Sequence, residues 1–153
     1  MSDQLLDNSV ERELNESGVY ASVTKGDSMR PLFKTNRDVI ILRKPEAELK
    51  KYDVALYKSH SGKYTLHRVV RVTPDEYIIR GDNTFALEHV QKDRILAVLT
   101  EFTRKGKKHK VTDFSYRLYS RVWNFIYPIR LLYKSARHLA WKIYRKIFKK
   151  KQG

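Results

Sequence analysis

Cysteine is absent from the 153-residue sequence. That removes disulfide scaffolds, zinc ribbons, thiol proteases and redox dithiols together, and leaves an oxygen or an amine as the only nucleophile available. Long apolar runs are missing too: no uncharged stretch exceeds eight residues, Val122 to Ile129 being one, far short of the roughly 20 needed to span a bilayer as a helix. The first 17 residues have neither a basic start nor an apolar run, so they do not read as a signal peptide. Acidic residues are scarce in one region only. Residues 104–153 carry sixteen Lys and Arg against a single acid, Asp113, whereas residues 1–103 carry sixteen of each sign, so the formal charge of +15 belongs wholly to the last third. The chain reads as a neutral globular part followed by a separate electrostatic device.

What is present divides the chain into four parts. In residues 1–17, Leu5, Leu6, Val10 and Leu14 recur at helical spacing and Ser17-Gly18 offers a natural stop, so a short amphipathic helix is expected. Residues 18–103 consist of short β-branched and aromatic runs separated by turn chemistry, the pattern of a mainly β domain. Strands are predicted near 19–25, 38–43, 53–58, 63–73, 76–80 and 94–102, with a hairpin loop at Ser59-His60-Ser61-Gly62 and a tight turn at Thr73-Pro74-Asp75-Glu76. Residues 104–112 are strongly basic around Gly106 and read as a linker. Residues 113–153 form a basic, aromatic extension, with helices predicted over 114–127 and 129–149 and a break or kink at Pro128. In the second of these, Ile129, Leu132, Tyr133, Ala136, Ala140, Ile143 and Ile147 share one face, opposite Lys134, Lys142, Arg145 and Lys149.

Chemistry concentrates in a set of ordered blocks. Gly26-Asp27-Ser28-Met29-Arg30-Pro31-Leu32 follows the first strand and is succeeded by Asn36-Arg37-Asp38-Val39-Ile40-Ile41-Leu42. Tyr52-Asp53-Val54-Ala55-Leu56-Tyr57, Leu66-His67-Arg68-Val69-Val70 and Arg80-Gly81-Asp82-Asn83 then follow in turn. Alone, Ser28 is a turn hydroxyl and Asp82 a turn-forming carboxylate. In this order and spacing the blocks resemble the type I signal peptidases and the related self-cleaving phage repressors, over about residues 18 to 100. The resemblance implies a signal-peptidase-like β-rich catalytic domain and serine endopeptidase activity. Ser28 matches the nucleophile, Met29 the residue packed behind it, and His67 the general base in the branch that uses His instead of Lys. Asp82 matches the acid near that base, while Asp38 and Asp53 match structural positions at strand starts.

A Ser–His pair is chemically sound apart from the resemblance. The serine hydroxyl needs a base, and imidazole, ordinarily near ~6.5, is mostly neutral at cellular pH, whereas a lysine ordinarily near ~10.4 must first be depressed by burial. The Ser28 backbone N–H is the expected oxyanion donor; position 26, where some members of the family have a hydroxyl, is glycine. Substrate is expected as an extended strand beside Val19 to Lys25 and Lys63 to Leu66, touching Met29, Pro31 and Leu66. No cofactor or metal is expected: Glu88-His89 is the nearest thing to a ligand pair, and no second pair has the spacing.

The extension mixes tryptophan and tyrosine with basic residues, as interfacial helices do. Trp123, Arg130, Lys134, Arg137, Trp141, Lys142 and Arg145 are expected to meet an anionic membrane surface, placing the chain in the cytoplasm against the inner face. Packing of the helices on the β domain, dimerisation, and nucleic-acid binding are the competing uses. The competing class for the whole chain is an inactive peptidase-like module that docks a peptide while its extension holds membrane or nucleic acid.

Overall fold

The structure is a computed structural model and describes residues 2–59 and 61–149. It is mainly β. Helix α1 (Ser2–Ser17) leads into strands β1 (Val19–Val23), β2 (Val39–Arg43), β3 (Val54–Lys58), β4 (Tyr64–Val72), β5 (Glu76–Arg80), β6 (Glu88–Gln91), β7 (Ile95–Arg104) and β8 (Lys107–Lys110), followed by helices α2 (Phe114–Phe125) and α3 (Tyr127–Lys149). The strands form one antiparallel sheet in the order β1-β2-β7-β3-β4-β5-β6, with β8 added beside β7.

The six predicted strands and the N-terminal helix are present, and two strands were not foreseen. One is β6, four residues long, with Val90 its only buried position. The other is β8, which corrects the expected linker: residues 104–112 contain the end of β7 and a tight hairpin. Arg104 pairs with Lys107, so the loop is Lys105-Gly106, and both residues have positive φ, 50° and 75°, as a two-residue turn matched to strand twist requires. His109 stacks on the Phe102 ring at 5.1 Å, so a segment that reads as pure charge contributes to a packed face.

Side chains alternate across a strand, and on β3 this decides the whole interior. Val54 and Leu56 join the core formed with Val10, Leu14, Met29, Leu32, Phe33, Ile40, Leu42, Leu99 and Phe102. Ala55 and Tyr57 join the second core, with Leu49, Val69, Tyr77, Ile79 and Val90. Both faces of the central strands are therefore covered. Val10 and Leu14 bring α1 against the first core, and Gly18 ends that helix in the left-handed region at φ 70°. The side chains of Leu5, Leu6, Ala140, Ile143, Ile147 and Lys149, and His60 as a whole, lie outside the described residues.

Pro128 falls in the first turn of α3, where its missing N–H costs nothing, and the break itself lies at Ile126. The α2 helix is packed on the sheet: Tyr116 and Ser120 are buried, and Tyr116 belongs to the first core. No described helix is long and apolar enough to cross a membrane.

Candidate active site

Two neighbours on β4 define the site. Because consecutive strand residues point to opposite faces, His67 enters the side occupied by Ala55, Tyr57 and Val69, and Arg68 the side occupied by Val54 and Tyr116. Each then meets a different carboxylate.

The imidazole of His67 is buried. Its Nδ1 lies 2.9 Å from Glu88 Oε1 and 3.2 Å from the Tyr57 hydroxyl, and that hydroxyl donates to Glu88 Oε2 at 2.7 Å. With Tyr57 spending its proton on Glu88, Nδ1 is best satisfied as the donor, which leaves Nε2 of the neutral ring unprotonated and able to accept. Burial pushes the His67 pKa below its ordinary value, and the negative charge and hydrogen bond of Glu88, with a smaller contribution from Asp82, oppose that push. Desolvation beside Glu88 drives the Tyr57 phenol upward, so it stays protonated.

Ser28 sits half-buried in the turn after β1. Its backbone carbonyl accepts from Asn83 N–H at 2.7 Å, and the Asn83 side-chain amide donates to the Asp27 carbonyl at 3.1 Å. These bonds lock the Ser28 turn to the Gly81-Asp82-Asn83 turn. Gly81 is the point of closest approach: a Cβ there would lie 2.7 Å from Ser28 O and 2.9 Å from His67 Nε2. Serine backbone and imidazole nitrogen thus flank one glycine that no other residue can replace without displacement. Among the described residues the Ser28 hydroxyl is not hydrogen-bonded to His67, and the Ser28 backbone N–H has no acceptor.

Asp82 does not orient His67, which corrects the role expected for it. Its carboxylate receives Arg68 Nε and Nη2, each at 2.8 Å, and the Tyr119 hydroxyl at 2.9 Å. Arg68 is fully buried and Asp82 only 3% exposed. The remaining guanidinium nitrogen donates to the Tyr52 carbonyl, Ser120 Oγ and the Tyr116 hydroxyl at 2.9, 2.8 and 3.2 Å, so the pair is closed off by α2. The adjacent carboxylate holds Arg68 well above the ordinary guanidinium range despite its burial. All three guanidinium nitrogens and both carboxylate oxygens have a partner, the condition under which mutual attraction can offset the desolvation of a buried ion pair.

The basic extension is drawn into the same neighbourhood. Trp123 Nε1 and Arg130 Nη2 both donate to the Asp82 carbonyl at 2.8 Å, and the Arg130 guanidinium lies 3.9 Å from the Trp123 ring centre. These two, expected at a membrane surface, are half-buried and spend their donors on the Asp82 turn. Lys134, Arg137, Trp141, Lys142 and Arg145 do stand exposed on α3.

Beside the turn runs a groove of about 310 Å³ bordered by Tyr20 and Ser22 to Gly26 of the β1 side, Tyr64 to Leu66 of β4, and Ser28, Met29, Phe33 and Leu56. Its two long walls present backbone. Gly18 O and Thr24 N are bonded toward β2, so with strict alternation Ala21 and Val23 turn their polar groups the other way. Lys63 O and Val69 are bonded toward the β3 side, so Leu66 turns away from β3, and β5 pairs with β4 only from Arg68 onward. Met29 and Leu66 line this groove as expected; Pro31 does not, being exposed with its carbonyl bound by Arg104.

Asp38 and Asp53 hold turns: Asp38 accepts from Lys34 N–H and Arg37, and Asp53 from Lys50 N–H. Among the described residues no cluster of three metal-ligating side chains occurs, and His89 pairs with Glu76 instead of with Glu88. No protein-family model matches the chain, and no curated protein matches it.

Proposed function

We propose that the chain is a serine endopeptidase with a signal-peptidase-like catalytic fold, in which Ser28 is the nucleophile, His67 the general base and Glu88 the carboxylate that orients it. One observation carries this reading: His67 is fixed through Nδ1 by Glu88 and Tyr57 while its Nε2 is turned to the glycine that also touches the Ser28 backbone. A purely structural histidine has no need of an acceptor nitrogen aimed at a serine turn.

Peptide lies in the groove between β1 and β4, exchanging backbone hydrogen bonds with the outward edges at Ala21, Val23 and Leu66. His67 Nε2 takes the Ser28 hydroxyl proton as the oxygen attacks the scissile carbonyl. The oxyanion is met by the Ser28 N–H. Imidazolium, steadied by the Glu88 carboxylate, returns the proton to the leaving amine, and an acyl-serine remains. Water then repeats the sequence, giving its proton to Nε2 and releasing the acid. In a ligand-free site the serine–imidazole hydrogen bond is commonly long and tightens as substrate enters.

The competing reading is a module that binds an extended peptide without cutting it, and the unjoined Ser28 hydroxyl is the observation on its side. Digestion of a random-sequence peptide library, read by mass spectrometry, separates the two. Wild type should yield cuts that vanish in Ser28→Ala and in His67→Ala, with both variants still folded by circular dichroism. Undiminished cutting by either variant, or an intact library after wild-type treatment, removes the endopeptidase reading.

A further inference from the structure

Helix α2 has two working faces. Tyr116, Tyr119, Ser120 and Trp123 face the Arg68–Asp82 pair, as described. The opposite face presents Phe114, Leu118, Val122 and Phe125, spaced at one helical turn apart, with Phe114 79% and Phe125 81% exposed. A stripe of four large apolar side chains exposed to water marks a surface that gains from being covered, since burial of apolar area is favourable.

Charge says what covers it. Arg117 and Arg121 stand exposed on the same helix, and α3 continues with exposed Lys134 and Arg137 beside exposed Ile129, Leu132 and Tyr133. Neither helix contains an acidic residue. A second copy of the chain would bring two such positive faces together, which opposes pairing through this surface. Nucleic acid would satisfy the cations and leave the leucines, isoleucine and phenylalanines in contact with water. A bilayer rich in anionic phospholipid satisfies both, with phosphates at the guanidinium and ammonium groups and acyl chains against the stripe.

We infer that the outer face of α2, together with α3, seats this protein on an anionic phospholipid surface, with Phe114 and Phe125 entering the acyl region and Lys134 and Arg137 binding headgroup phosphate. The seat is independent of whether Ser28 cuts peptide.

Full-length chain sedimented with vesicles tests it. Phosphatidylcholine vesicles containing phosphatidylglycerol should carry the protein down, and phosphatidylcholine alone should not. Lys134→Gln with Arg137→Gln should weaken binding about 30-fold, from ~1 kcal/mol per basic residue at the surface. Phe114→Ser with Phe125→Ser should weaken it by at least about 10-fold, and because both positions are exposed the fold should hold. Should the serine variant misfold, the glutamine variant still decides. Retention in the supernatant with phosphatidylglycerol, or equal sedimentation with neutral vesicles, overturns the inference. So does tighter binding to duplex DNA than to the anionic vesicles at the same salt, or a stable dimer whose formation requires Phe125.

Discussion

His67 and Arg68 are consecutive on β4 and each is buried against a carboxylate, yet the two pairs are built for opposite ends. Arg68 and Asp82 share two hydrogen bonds and are ringed by Tyr52, Tyr116, Tyr119 and Ser120, with a partner on every charged side-chain atom. His67 has one nitrogen satisfied by Glu88 and Tyr57 and the other turned toward a serine turn. Glu88 itself remains partly exposed. Saturation suits a structural strut; a single open valence suits the base proposed for His67. A one-residue step along a strand is enough to separate the two, because it changes the face.

The largest effects should come from breaking the strut. Arg68→Ala and Asp82→Asn each leave a buried charge without its counterpart and should cost about 3–5 kcal/mol, read as a drop in the urea midpoint at unchanged slope. A loss under 1 kcal/mol for both would mean that the pair is not buried as described.

Next in size, Glu88→Gln should leave the urea midpoint close to wild type while lowering kcat/KM for any cleaved peptide by about 10²- to 10⁴-fold. The pH profile sharpens the contrast. Burial depresses the His67 pKa below the usual 6.5, so the acidic limb of kcat/KM should lie below that value, with activity rising as the proton leaves. Glu88 opposes the depression, so Glu88→Gln should move the limb to lower pH still. A limb that stays in place would show that Glu88 does not face His67. The sign for stability is the same: the unfolded chain takes up the proton first, so stability is present above pH 6.5 and is lost as pH falls through the lower folded-state value.

The smallest expected effect is that of Gly81→Ala. The added methyl meets Ser28 O and His67 Nε2, which should cost about 1–3 kcal/mol as overpacking and on the order of 10²-fold in rate through misplacement of the base. A rate equal to wild type would mean that serine and imidazole do not meet at this glycine.

Much of this could be read from the chain. Six strands carry clear β-branched or aromatic runs, and Val10 and Leu14 mark the buried side of α1. The blocks around Ser28 and His67 single out the two residues that Gly81 holds apart. The groove along Ala21 to Val23 and Leu66 follows from where those blocks sit on their strands. The carboxylate partner did not follow, because the family resemblance points to Asp82 in the Gly-Asp-Asn block, while the fold sends Asp82 toward Arg68 and the short β6 brings in Glu88. With one buried apolar residue, β6 has almost no periodic signal. The hairpin of β7 and β8 was hidden by composition: its lysines read as solvent-exposed linker, although Gly106 is a residue suited to the positive φ of the turn. Trp123 and Arg130 look like surface anchors for the same reason, since nothing in a helical period tells which neighbour a half-buried guanidinium will find.

The clasp of Trp123, Tyr119 and Ser120 around the Arg68–Asp82 pair also bears on the order in which the molecule is completed. Translation delivers every strand before it delivers α2, so a nascent chain already holds serine, imidazole and both carboxylates while the guanidinium–carboxylate pair still stands open to water. The Asp82 turn gains its rear wall only once residues 116–123 have emerged and docked. What looks along the sequence like an appendage is the keystone of the strand assembly that precedes it.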